Sequence, residues 1–129
     1  MHKNAEIVRR AYHAFNAADL ETLAELFDDN TSWYTPGLSS TAGLRKGRNE
    51  VFAQFGRYSA ETAGTFQAEL KSVYADDEGR VIGLHHNSAK RNGRTLDVDC
   101  CITFDLKNGR IASGREFFFN VQNWDQFWS

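Results

Sequence analysis

The chain has 129 residues, the size of one domain, and positions 1–129 read as a single unit. A chain of this length can bury most of its apolar surface without disulfides or metals. With 41% hydrophobic residues, 25% charged residues and a formal net charge of −2, it has an ordinary globular mixture and no electrostatic footprint for nucleic acid.

The first helix is expected over about Asn4 to Ala17, where Ile7, Val8, Ala11, Tyr12, Ala14 and Phe15 form a stripe at helical spacing. A short second helix follows over Leu20 to Phe27, with Asp19 as its N-cap, and Asp28-Asp29-Asn30 breaks it. Thr31 to Thr35 reads as a strand ending at Pro36-Gly37, and Leu38 to Gly47 as a loop. A third helix runs over about Asn49 to Ser59. The rest reads as sheet: Thr65 to Ala75, Arg80 to Arg91, Arg94 to Leu106 and Arg110 to Val121. Asn92-Gly93 and Asn108-Gly109 are strong hairpin signals. Four long strands in one antiparallel meander twist and curl, and a curled sheet around helices leaves a cavity at its open end.

Aromatic residues exceed what one small core needs: ten Phe, four Tyr and three Trp. Trp124, Phe127 and Trp128 are expected to fold as a tail over the cavity or a sheet edge. Adjacent Cys100 and Cys101 point to opposite faces of a strand, so they read as free thiols of a reducing compartment, the cytoplasm. No apolar run reaches membrane-span length and no signal peptide precedes the first helix. No His, Cys and carboxylate grouping has metal-site spacing, and no cofactor motif is present, so neither a metal nor a cofactor is expected.

Three stretches carry a resemblance: Phe15-Asn16-Ala17-Ala18-Asp19-Leu20; Leu26-Phe27-Asp28-Asp29-Asn30 leading to a strand and Pro36; and Leu96-Asp97-Val98 continuing to Phe104-Asp105 and Asn108-Gly109-Arg110-Ile111. In this order and spacing, over nearly the whole chain, they resemble the nuclear-transport-factor-2-like superfamily, SnoaL-like and ketosteroid-isomerase-like branch. The resemblance implies an α+β fold, with N-terminal helices packed in a strongly curved, mostly antiparallel sheet forming a cone-shaped barrel. It also implies a homodimer through the outer sheet face, where Phe117 and Phe119 fall.

The ketosteroid isomerase set does not carry over. Its base position falls on Thr35, its tyrosine on Ala11 beside Tyr12, and its protonated acid on Cys100. The same resemblance sets the inward faces: Trp33 and Thr35; Val81, Gly83, His85, Asn87 and Ala89; Leu96, Val98, Cys100, Ile102 and Phe104; Ala112, Gly114, Glu116, Phe118 and Asn120. The run Leu96 to Phe104 has period 2 on its own account. His85, Asn87 and Glu116 are thus polar groups in an apolar interior, where a carboxylate has a raised pKa and an imidazole beside it can share its proton.

The candidate catalytic residues are therefore Glu116, as acid or base, and His85, as its partner. Asn87 is read as positioning a ligand, and Trp33, Tyr12, Phe15, Val98, Cys100 and Phe118 as pocket wall. The alternatives are that Glu116 sits at the cavity mouth or pairs with an arginine such as the partner's Arg115, and that His85 is a satisfied structural histidine. The functional expectation is cofactor-independent proton transfer, of isomerase, cyclase or dehydratase type, on a small hydrophobic carbonyl compound. The competing expectations are a non-catalytic binder of a small hydrophobic ligand and a structural dimer module.

Overall fold

The computed structural model describes residues 2–129. In chain order the elements are α1 (Lys3–Asn16), α2 (Leu20–Leu26), β1 (Phe27–Thr35), β2 (Gly43–Lys46), α3 (Arg48–Glu61), β3 (Gln67–Ala75), β4 (Arg80–Arg91), β5 (Arg94–Lys107), β6 (Arg110–Phe118) and α4 (Val121–Trp128). The strands form one unclosed sheet in the order β2-β1-β6-β5-β4-β3. β1 runs parallel to β6, and every other neighbouring pair is antiparallel. This is the expected α+β architecture of helices against a curved, mostly antiparallel sheet.

Local chemistry sets the boundaries. The His2 side chain accepts from the Asn4 amide to cap α1, and Asp19 accepts from the Thr22 amide at 3.1 Å to cap α2. Asn92 and Gly93 both have positive φ, as do Asn108 and Gly109, which is the backbone of a tight hairpin turn. α1 packs on β3 and β4, α3 on β1 and β2, and α4 on β5 and β6, so the helices line the concave side.

Four expectations are corrected. The stretch read as loop, Leu38 to Gly47, contains the edge strand β2, whose four residues carry no apolar period. β1 begins at Phe27, directly after α2, so Asp28 to Asn30 extend the strand instead of separating the elements. β6 ends at Phe118, and Asn120 caps α4 by accepting from the Asn123 amide. Asn120 is therefore exposed at a helix start, outside the inner face. A bulge where Asp105 and Leu106 meet Ser113 and Ile111 also resets the alternation, turning Ile111 inward in place of Ala112.

On β4 and β5 the inward set is as expected: Val81, His85, Asn87, Ala89, Leu96, Val98, Cys100, Ile102 and Phe104 are all buried. The C-terminal aromatics form the buried stripe of α4, with Trp124, Phe127 and Trp128 at 0%, 2% and 3% exposure. Each contributes roughly 1.5–3 kcal/mol by burial. Trp124 stacks on Phe118 with ring centroids 4.1 Å apart and donates its N–H to Thr41 Oγ1 at 2.9 Å, which ties the chain end to the β1–β2 connection.

Candidate active site

A cavity of about 50 Å³ lies between the helices and the concave face. α1 supplies Ala11, Tyr12 and Phe15; β1 supplies Trp33; α3 supplies Phe55 and Tyr58; β4 supplies His85 and Asn87; β6 supplies Glu116. The volume holds roughly three to five water molecules, well below the ~300–1,000 Å³ of sites for drug-sized ligands.

Glu116 is 4% exposed. Its Oε1 accepts three hydrogen bonds, from Thr35 Oγ1 at 2.6 Å, Trp33 Nε1 at 2.9 Å and the Tyr58 hydroxyl at 3.4 Å. None of the three reaches Oε2, and no ion pair among the described residues includes Glu116. Burial raises its pKa above the ordinary glutamate value, partly offset by the Thr35, Trp33 and Tyr58 hydrogen bonds, which favour the charged form. Gly114 makes the clamp possible: a Cβ there would run into the six-membered ring of Trp33, so the indole lies against bare backbone of β6.

A second polar cluster is built from α1 and β4. The Tyr12 hydroxyl lies 2.7 Å from His85 Nδ1, and His85 Nε2 lies 2.9 Å from Asn87 Oδ1. Tyr12 presses its hydroxyl toward Gly83, whose missing side chain leaves the room. Burial lowers the His85 pKa to about 4 and raises that of Tyr12 well above 10, so both groups are neutral at pH 7. The expected direct partnership of His85 with Glu116 is not formed: the hydrogen bonds of His85 go to Tyr12 and Asn87, and those of Glu116 to Trp33, Thr35 and Tyr58.

Of the residues named from sequence, Glu116, His85, Asn87, Trp33, Tyr12 and Phe15 line this cavity together. Val98, Cys100 and Phe118 do not, although Val98 and Cys100 are buried. For Phe118 the reason is α4, which packs over β5 and β6 and places Trp124 on its ring. Two contributors went unread. Tyr58 sits among the apolar positions of the third helix, and Thr35 reads as an inward residue in place of a base; the polar Gln54 one turn before Tyr58, whose amide donates to the Tyr58 hydroxyl, is the available signal of a polar spot on that helix.

Thr35 thus donates its hydroxyl hydrogen to a carboxylate arriving from β6.

The chain belongs to the SnoaL-like domain family, whose model matches residues 8–114. Uncharacterized protein Rv0034 of Mycobacterium tuberculosis strain H37Rv is 31% identical over 124 residues, covering 96% of this chain and 95% of that one. Bal32a, from a soil-derived mobile gene cassette, is 58% identical with a TM-score of 0.97, covering 98% of this chain and 97% of its own. A proposed polyketide cyclase from Xanthomonas campestris pv. campestris shares the fold at a TM-score of 0.76 and 21% identity, over 98% of this chain and 97% of its own.

Proposed function

We propose that the chain is a cofactor-independent acid–base enzyme of isomerase, cyclase or dehydratase type, acting in the cytoplasm on a small hydrophobic carbonyl compound. The observation that carries this reading is Glu116: a buried carboxylate in no ion pair among the described residues, clamped at Oε1 by three donors and lining an otherwise mostly apolar cavity. The clamp fixes the carboxylate in position, and burial raises its basicity toward neutral pH. In this reading Oε2 takes a proton from carbon next to the carbonyl of the bound compound and returns it at another atom. The fold is shared with a proposed polyketide cyclase, which supports cyclase-type chemistry, and the cavity limits the reacting part to about one small ring.

The test uses cyclopentanone in D2O, with exchange of its α-protons followed by NMR. The native chain is expected to accelerate exchange above buffer, and Glu116→Gln to lose about 100-fold or more of that acceleration. Equal rates in the two chains contradict the reading. Binding of cyclopentanone without any acceleration favours the second reading, a non-catalytic binder, which is supported by the non-catalytic residues at Thr35, Ala11 and Cys100.

The same proposal includes a homodimer through the outer sheet face. There Phe117 is 46% and Phe119 68% exposed, and the Arg115 guanidinium stacks over Tyr34 at 4.3 Å. Sedimentation equilibrium is expected to give a dimer for the native chain and a monomer for the Phe117→Glu, Phe119→Glu double variant. A native monomer contradicts the dimer.

A further inference from the structure

The proton positions around His85 follow from hydrogen-bond satisfaction. Tyr12 carries a buried O–H, and the acceptor it meets is His85 Nδ1. A neutral imidazole that accepts at Nδ1 carries its proton at Nε2. That N–H needs an acceptor, and Asn87 supplies it through Oδ1. The amide orientation is thereby fixed, and Nδ2 is left over: it is buried and has no hydrogen-bond partner, on a residue that is 1% exposed and lines the cavity. An unpaired buried donor is costly, and an acceptor atom on a ligand in the cavity would satisfy it.

We propose that Asn87 Nδ2 is the oxygen-binding donor of the cavity, that Tyr12 and His85 are positioning residues that hold its N–H inward, and that the site selects small ring ketones over hydrocarbons of the same shape. The inference deepens the function proposed above, since it rests on the same cavity taking a carbonyl compound. It also gives His85 a role without proton transfer. The chain from Tyr12 through His85 to Asn87 runs donor to acceptor in one direction, so each bond polarises the next toward the ligand oxygen. The reversed chain, with Asn87 donating to His85, would leave the Tyr12 hydrogen without a partner and turn a carbonyl oxygen toward the ligand, which suits a donor and repels a ketone.

The experiment compares cyclopentanone with methylenecyclopentane, in which the oxygen is replaced by CH2. With the native chain labelled with 15N, cyclopentanone is expected to shift the Asn87 side-chain amide signals, and methylenecyclopentane to leave them nearly in place. The ratio of the two affinities is expected to fall about tenfold in Asn87→Leu, which removes the donor. Tyr12→Phe keeps the ring and the other lining residues but removes the hydroxyl that holds His85 and hence the amide; it is expected to lower the ratio as well, by severalfold.

Cyclopentanone that binds without moving the Asn87 amide signals overturns the inference, as does an affinity ratio unchanged in both variants or an absence of saturable cyclopentanone binding. The two proposals fail separately. Ketone selectivity that depends on Asn87, without α-proton exchange, removes the enzyme and keeps the oxygen site. Exchange that depends on Glu116, with selectivity indifferent to Asn87, does the reverse.

Discussion

On β4, His85 turns into the cavity and His86 turns out through the other face of the sheet, and the two imidazoles are driven in opposite directions. Burial lowers His85 to about 4. The His86 pKa is raised, chiefly by its hydrogen bond to Asp99 at 2.7 Å, with Asp97 on its other nitrogen. The sheet divides a buried side, where losing water disfavours charge, from an exposed side, where charge pairs form at little cost and contribute little. Glu116 belongs to the buried side, and its burial raises the pKa of an acid just as it lowers that of a base.

The signs give opposite pH dependences. An unfolded imidazole protonates near 6.5, so His85 favours the native state fully above that pH and withdraws ~3 kcal/mol as pH falls from 6.5 to about 4. His86, with its raised pKa, favours the native state below 6.5 and loses that contribution as pH rises through its folded value. Glu116 is also raised, so it disfavours the native state at neutral pH and ceases to do so as pH falls through its folded value toward 4.5.

The largest effect that separates the two faces is in chemistry. Glu116→Gln is expected to remove most ketone exchange, yet to raise the urea midpoint at pH 7, because the buried charge is gone while Oε1 can still accept. A lower midpoint would mean that the clamp, and not the desolvation, dominates. Next comes acid sensitivity: His85→Gln is expected to flatten the fall in stability between pH 6.5 and 4 by about 3 kcal/mol. Urea midpoints across that range check it, and an unchanged slope would place the titration elsewhere. Gly114→Ala is expected to destabilise by about 1–3 kcal/mol, since Trp33 must leave its seat on β6. A neutral result there would dissolve the Trp33 clamp. The smallest effect is outside: His86→Gln should change stability by less than about 1 kcal/mol. The His86 NMR titration, expected above 6.5, should drop further in Asp99→Asn than in Asp97→Asn.

The buried side was partly legible in the sequence and the chain end was not. Period 2 from Leu96 to Phe104 and the two Asn-Gly turns could be read because alternation and turn chemistry are local, whereas the inward polar trio of His85, Asn87 and Glu116 followed from the family resemblance, which set the inward faces. The bulge opposite Ile111 has no local signature, so the inward face of β6 was misassigned at Ala112. α4 carried its own helical spacing in Trp124, Phe127 and Trp128, which an over-long β6 concealed. Val98, Cys100 and Phe118 read as ligand wall because the resemblance set them on inward faces. The partition of the trio into a Glu116 clamp and a Tyr12–His85–Asn87 chain depends on distances across α1, α3 and β1, which residue spacing does not encode.

The central claim is that Glu116 is a buried carboxylate raised toward neutral pH inside a ligand cavity. A 13C NMR titration of its side-chain carboxyl, assigned by the signal missing in Glu116→Gln, tests it most directly. The expected midpoint lies above the ordinary glutamate value near 4.5 and moves higher still in Thr35→Val, where one charge-favouring hydrogen bond is lost. A midpoint at or below 4.5 would contradict it, by making Glu116 a hydrogen-bonded structural anion with no affinity for a substrate proton.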